Sequence, residues 1–227
     1  MTALAGIGLY SPKQAERLIG VDAEKIRRWI VRDRSPAGPL WHPEPESLGA
    51  EDTLSFKDLL EVRAVSRFRE HGVSMHVIRE ALSSLSDYLQ RDYPLIHPRL
   101  MTDGKDVFLQ ALEENGEEGL TDLVKRQGVL TEVIGPSLIS GITFDASDNP
   151  VRWTPDPADP QIVIDPRFAF GKPIVLPSHV STAALFDAFQ AEEGDADTVA
   201  RNFDITLDEV NRAVNFEKRI AAGALLH

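Results

Sequence analysis

Two helix-start signals stand eleven residues apart around a single glycine, and they restrict what the first thirty residues can become. In Ser11-Pro12-Lys13-Gln14 a hydroxyl can cap, proline suits the first helical position, and a glutamine follows three residues after the cap. Ala15, Leu18 and Ile19 then share one face, and Gly20-Val21 ends the run. Asp22 opens a second short helix, in which Ile26, Trp29 and Ile30 recur at helical spacing. Its opposite face carries Lys25, Arg28 and Arg32, with Arg27 beside them. Two helices of about eight to ten residues around a glycine turn predict a helix-turn-helix.

A proline- and glycine-rich stretch follows from Ser35 to Glu46 and excludes a long helix. Leu40-Trp41-His42 and Thr53-Leu54-Ser55 are expected to form the two short strands of a wing. Ser55 opens a third helix with Leu59, Leu60, Val62, Val65 and Phe68 apolar, and His71-Gly72-Val73 ends it. Ser74 caps a fourth, which Tyr93-Pro94 stops. Beyond it, Leu100 to Phe108 around Asp103-Gly104 predicts a hairpin, and Leu120 to Gln127 a short helix. Leu138 to Phe144 and Val151 to Trp153 predict two strands, and the prolines between Trp153 and Pro160 predict a linker. Ile162-Val163-Ile164 is a strand that ends in the turn Asp165-Pro166, and Gly171-Lys172-Pro173 leads into a second strand. Ser181 is expected to cap a helix, Glu193-Gly194-Asp195 to turn the chain into a short helix holding Asp197 to Ala200, and Thr206 to cap a third. The expected fold class is mainly helical α+β: a winged helix-turn-helix over 1–91, a β-containing middle and linker over 92–160, and a helical module with a second helix-turn-helix over 161–227.

Charge is unevenly spread. Residues 1–34 hold seven basic and four acidic side chains, whereas the whole chain carries a net charge of −12. A basic head on an acidic body fits phosphate at one end and repels it at the other. There are no cysteines, which excludes disulfides, thiol catalysis and cysteine-ligated metal. No apolar run approaches the ~20 residues of a membrane helix, and Met1 to Ala5 lacks the basic and apolar regions of a signal peptide, so the expected location is the cytoplasm.

The N-terminal pattern resembles the DNA-binding domain of the MerR transcription regulators. The residues that carry the likeness are Tyr10-Ser11, Ala15, Leu18, Gly20-Val21-Asp22, Ile26-Arg27-Arg28-Trp29, then Phe56, Asp58-Leu59, Phe68, Gly72-Val73-Ser74 and Ile78-Arg79. The resemblance implies that the second helix enters the major groove and that a homodimer reads two half-sites, with Lys13, Lys25, Arg27, Arg28 and Arg32 as DNA-binding residues. The C-terminal segment resembles a short antitoxin domain of VapB-type antitoxins, on Ile164-Asp165-Pro166, Phe170-Gly171-Lys172-Pro173-Ile174, Val180-Ser181-Thr182, Ala200, Phe203, Thr206, Glu209-Val210 and Ala213-Val214. That likeness implies a PIN-like ribonuclease toxin as partner and autoregulation at operator DNA. Toxin-binding residues are then expected at Arg167, Phe168, Phe170 and Lys172, two cations around two aromatics. Asp165-Pro166 and Gly171-Lys172-Pro173 are most simply turn chemistry, and the alternative for the four residues is that both aromatics pack inside the C-terminal segment and the charges are solvated.

Nothing in the pattern points to an enzyme. The closest histidines, His71 and His76, are not at metal-ligand spacing, and Glu113-Glu114 and Glu117-Glu118 lie beside a glycine with no nucleophile or base. No catalytic residue, metal or cofactor is assigned. A stand-alone regulator sensing a ligand through its C-terminal part is the alternative to the antitoxin, and a hydrolase using the middle acids is a third reading.

Overall fold

The computed structural model describes residues 6–30, 38–45, 52–102, 104, 106–108, 110 and 135–223. Helix α1 (Pro12–Ile19) begins with a reciprocal capping box: Gln14 N donates to Ser11 Oγ, and Ser11 N donates to Gln14 Oε1 at 2.8 Å. Gly20 ends it in the left-handed region at φ +70°. Helix α2 (Ala23–Ile30) starts where Asp22 Oδ1 accepts from Glu24 N and Lys25 N, both at 3.1 Å. Helix α3 (Phe56–Glu70) has a second capping box between Ser55 and Asp58, and α4 (Met75–Leu89) is capped by Ser74. Short 3-10 turns at Pro94–Ile96 and Pro98–Met101 bring the chain back across α3 and α4. After α5 (Gly135–Ile139) five strands form an antiparallel meander in sequence order: β1 (Ile142–Phe144), β2 (Pro150–Trp153), β3 (Ile162–Ile164), β4 (Pro173–Val175) and β5 (Val180–Ser181). Trp153 pairs with Ile164, so strands on either side of residue 160 share one sheet. Helices α6 (Thr182–Ala191), α7 (Ala196–Phe203) and α8 (Leu207–Ala221) complete the fold, and α7–α8 is a second helix-turn-helix. About 55% of the described residues are helical, so the fold is the mainly helical α+β class expected.

The buried cluster runs unbroken from Tyr10 and Ile26 through Phe56, Phe68 and Trp153 to Leu185, Val210 and Phe216. Polar links cross it at both ends. Tyr10 Oη donates to the Gly171 carbonyl at 2.6 Å, Leu9 N donates to the Phe170 carbonyl at 3.1 Å, and Arg17 meets Glu217 at 3.2 Å. Asp156 and Asp159, in the proline-rich stretch, are buried and ion-paired to Arg219 and Arg212 of α8. Gly171 is required at the Tyr10 link. Its φ is +80°, and a Cβ there would lie 2.3 Å from Tyr10 Oη and 3.1 Å from the Gly8 Cα. Gly171→Ala is expected to destabilise the fold by roughly 2–4 kcal/mol, combining left-handed strain with overpacking. Equilibrium urea unfolding checks this, and a loss under about 1 kcal/mol would contradict the close approach.

Three local expectations are corrected. The hairpin expected over 100–108 is helical instead: Gly104, Asp106, Val107, Phe108 and Gln110 all have helical backbone. Phe108 is buried against Phe68, with ring centroids 4.6 Å apart, and this packing outweighs the turn signal. Gly104 serves close packing, since a Cβ would sit 3.0 Å from the Arg99 carbonyl oxygen. The strand expected from Leu138 begins only at Ile142, because Leu138 and Ile139 end α5. The two wing strands do not form as expected: Leu54 bridges Tyr10 instead, and Leu40 N donates to the Trp29 carbonyl. Arg32 and the helix expected over 120–127 lie outside the described residues.

Candidate functional site

Ile26 and Ile30 are buried and Trp29 is half-buried, which turns Lys25 and Arg28 of α2 outward to solvent. Both line a cleft of about 990 Å³ between α2 and the turn joining α3 to α4. Arg69, His76 and Arg79 face the same cleft, over a floor that includes Trp29, Leu40 and Met75. Two carboxylates, Glu70 and Glu80, also line it. Glu70 is engaged by Arg67 at 3.0 Å, so the positive charges prevail. A cationic cleft beside an exposed helix face suits a polyanion. The other expected DNA contacts fall elsewhere. Lys13 is ion-paired to Glu16 at 2.7 Å, and Arg27 is half-buried and paired to Glu24 at 2.5 Å.

Residues 38–44 are held from two sides. Arg79 Nη1 and Nη2 donate to the carbonyls of Pro39 and Gly38, each at 2.7 Å. Asp58, fully buried, accepts from Trp41 Nε1 at 2.8 Å, Tyr93 Oη at 3.0 Å, Ser55 N at 2.8 Å and Glu44 N at 3.1 Å. Burial pushes the Asp58 carboxyl above its ordinary range, against the pull of these donors. One turn on, Glu61 is also fully buried. Its Oε1 accepts from Leu95 N at 3.0 Å, while its Oε2 has no hydrogen-bond partner among the described residues. Burial pushes Glu61 up to about 8; the Leu95 and Ile96 amides oppose that rise, and the nearby Asp58 charge adds to it.

The second group of expected residues lies on the loop between β3 and β4. Asp165 is buried and accepts from Arg167 in a two-point clamp, Nε to Oδ1 at 2.9 Å and Nη2 to Oδ2 at 2.6 Å. Burial opposes the Asp165 charge, but the hydrogen bonds from Arg167 and Arg152 outweigh it and hold the carboxyl below its ordinary range. Arg167 is therefore exposed but committed to a neighbour, whereas Lys172 is exposed and makes no ion pair among the described residues. Phe168 stacks on His179 with ring centroids 4.2 Å apart. Phe170 is 71% exposed. Ala169 and Phe170 both have positive φ, 46° and 56°, a backbone that costs energy for side chains with a Cβ. Leu9 N and Tyr10 Oη hold the loop by bonding the Phe170 and Gly171 carbonyls. The four residues thus share one rigid turn at the protein surface.

No protein-family model matches the chain. It is 27% identical over 230 residues to a protein of Mycobacterium tuberculosis named as a candidate antitoxin, VapB45, with 92% of this chain and 93% of that one covered. A second M. tuberculosis protein, Rv2308, is 23% identical over 240 residues and covers all of this chain. The crystal structure of Rv2018 from M. tuberculosis matches the fold with a TM-score of 0.68 at 25% identity, covering 92% of this chain and 99% of that one. Among the described residues no three His, Asp or Glu side chains are grouped to hold a metal, and no helix is long and apolar enough to cross a membrane.

Sequence reasoning missed Arg69 and His76 as cleft residues, because they come from the end of α3 and the start of α4 and meet α2 only in the fold. Arg79 was visible in the MerR-like pattern, but its two bonds to Gly38 and Pro39 span about forty residues. Asp58 was likewise visible only as part of that pattern, and its role as a four-donor acceptor had no local signal.

Proposed function

We propose that this chain is an antitoxin that neutralises a PIN-like ribonuclease toxin and, as a homodimer, binds its operator DNA to autoregulate transcription. The observation that carries the reading is the similarity, over nearly the whole chain, to a protein named as a candidate antitoxin. Residues 1–91 supply a MerR-like DNA-binding unit, residues 161–227 supply the toxin-facing surface, and residues 92–160 join them. The cleft lined by Lys25, Arg28, Arg69 and Arg79 supports the DNA assignment, since cations on a short exposed helix and beside it suit base edges and flanking phosphates. The 167–172 turn supports the partner assignment. It presents an exposed aromatic, and a lysine without an ion pair among the described residues, on a backbone that the surrounding structure holds in place.

The test is co-expression with the product of the adjacent reading frame, followed by co-purification. The wild-type chain is expected to retain that product. The double variant Arg167→Ala/Lys172→Ala is expected to bind it more weakly by about 2 kcal/mol or more, the size of a hot-spot truncation. A folded double variant that binds and silences the nuclease at equal stoichiometry would remove these residues from the inhibitory surface.

A further inference from the structure

A groove of about 190 Å³ runs between the N-terminal helix-turn-helix and the C-terminal helices. Arg17 and Leu18 of α1 line one side, Ala183 of α6 and Ile220 of α8 the other, and Lys172 stands at its rim with Glu217 beside it. Its size is that of one bulky apolar side chain, and its wall is largely aliphatic. The charges around it are not equivalent. Glu217 is buried and already engaged on both oxygens: Thr182 Oγ1 donates to Oε1 at 2.5 Å, and Arg17 Nη2 donates to Oε2 at 3.2 Å. Lys172 makes no ion pair among the described residues, so the uncompensated charge at the rim is positive. The exposed Phe170 lies two residues from that lysine, on the strained turn that Tyr10 and Leu9 fasten to the N-terminal part.

We propose that this groove is part of the nuclease-binding surface and receives one bulky apolar side chain of that partner, with a partner carboxylate on Lys172. The inference rests on the antitoxin reading and deepens it. The interface is not confined to the 167–172 turn but reaches across onto α1, two residues before the helix-turn-helix glycine. Charge complementarity selects the occupant. A second copy docked about a two-fold axis would bring the same patch against itself, and two unpaired Lys172 charges would then enter one interface. An acidic, apolar segment of a different protein does not meet that penalty.

The experiment uses the full chain with the purified product of the adjacent reading frame. Ala183→Trp fills the groove from a half-buried position and leaves Arg167, Phe168, Phe170 and Lys172 themselves unsubstituted. It is expected to weaken binding at least tenfold, with the melting temperature unchanged. A photo-crosslinking amino acid at Gln14, an exposed α1 residue that also lines the groove, is expected to give a covalent adduct with the nuclease. This second measurement decides the matter if Ala183→Trp fails to fold. Binding by the wild type with no adduct from position 14, or an adduct with a second copy of this chain, overturns the groove and leaves the antitoxin reading standing. Binding unchanged within twofold in a folded Ala183→Trp has the same meaning. No binding by the wild type overturns both.

Discussion

Replacing Lys25 and Arg28 together by alanine is expected to weaken operator binding by roughly 2–6 kcal/mol, about 1–3 for each side chain that reads a base. Both side chains are exposed on α2, and the buried face made by Ile26 and Ile30 is untouched, so the fold should persist. Arg27→Ala alone is expected to cost much less, because Arg27 is half-buried and spends its charge on Glu24. Anisotropy titrations at fixed salt separate the two. Equal losses from the pair and from Arg27 alone would place the recognition surface elsewhere on the helix. A salt series adds a second readout, since removing a cation that sits on a phosphate makes log K fall less steeply with log salt.

Glu61→Gln is expected to make the protein more stable, and increasingly so as pH rises. The Glu61 carboxyl is raised from 4.5 to about 8 by burial, and one of its oxygens has no hydrogen-bond partner among the described residues. Between those values the folded state holds a proton that the unfolded state has released. Stability from this group is therefore complete below the unfolded value and is lost as pH rises through the folded one. The full loss is on the order of 5 kcal/mol across that window. Glutamine keeps an oxygen for the Leu95 amide and needs no proton, so the difference between variant and wild type should widen from pH 5 to pH 8 in urea unfolding. Parallel stability profiles over that range would mean that Glu61 does not ionise on unfolding as described.

The two substitutions act at different levels of the molecule. Replacing Lys25 and Arg28 is expected to change recognition and leave the scaffold alone. Glu61 acts on the scaffold, where it fastens the Pro94–Ile96 turn to α3 next to the Asp58 cluster. A variant that changes DNA affinity only through stability should therefore show its effect on the urea midpoint first.

What the residues revealed in advance follows how far their partners lie along the chain. Ser11, Ser55, Ser74 and Thr206 each cap a helix by accepting from a backbone amide three residues on, so the starts of α1, α3, α4 and α8 were legible locally, whereas Asp195, read as a turn, caps α7 and Ser181, read as a cap, makes no side-chain cap bond. The Ile162–Ile164 and Pro173–Val175 strands were legible from short apolar runs bounded by turns. The 98–110 region was not, because Asp103-Gly104 reads as a turn and the burial of Phe108 on Phe68 spans forty residues. The wing strands failed for a related reason: the partner of Leu54 is Tyr10, upstream of the first helix. At the candidate site, the exposure of Lys25 and Arg28 followed from periodicity and that of Lys172 from turn chemistry, whereas the sequence left open whether Phe170 packs inside or, as found, faces solvent. The commitment of Arg167 to Asp165 required the burial of that aspartate, which an Asp-Pro turn does not announce. The Tyr10–Gly171 link joins residues 161 apart and carries no signal in sequence at all.

The proposed silencing of a ribonuclease is tested most directly by an RNA-cleavage titration. The product of the adjacent reading frame is held at fixed concentration with a fluorescent RNA, and the purified full-length chain is added stepwise. The account predicts that cleavage falls linearly to baseline and stops at a fixed molar ratio, while the Arg167→Ala/Lys172→Ala variant leaves most of it running. Cleavage that continues undiminished at a tenfold excess of the wild-type chain would contradict it.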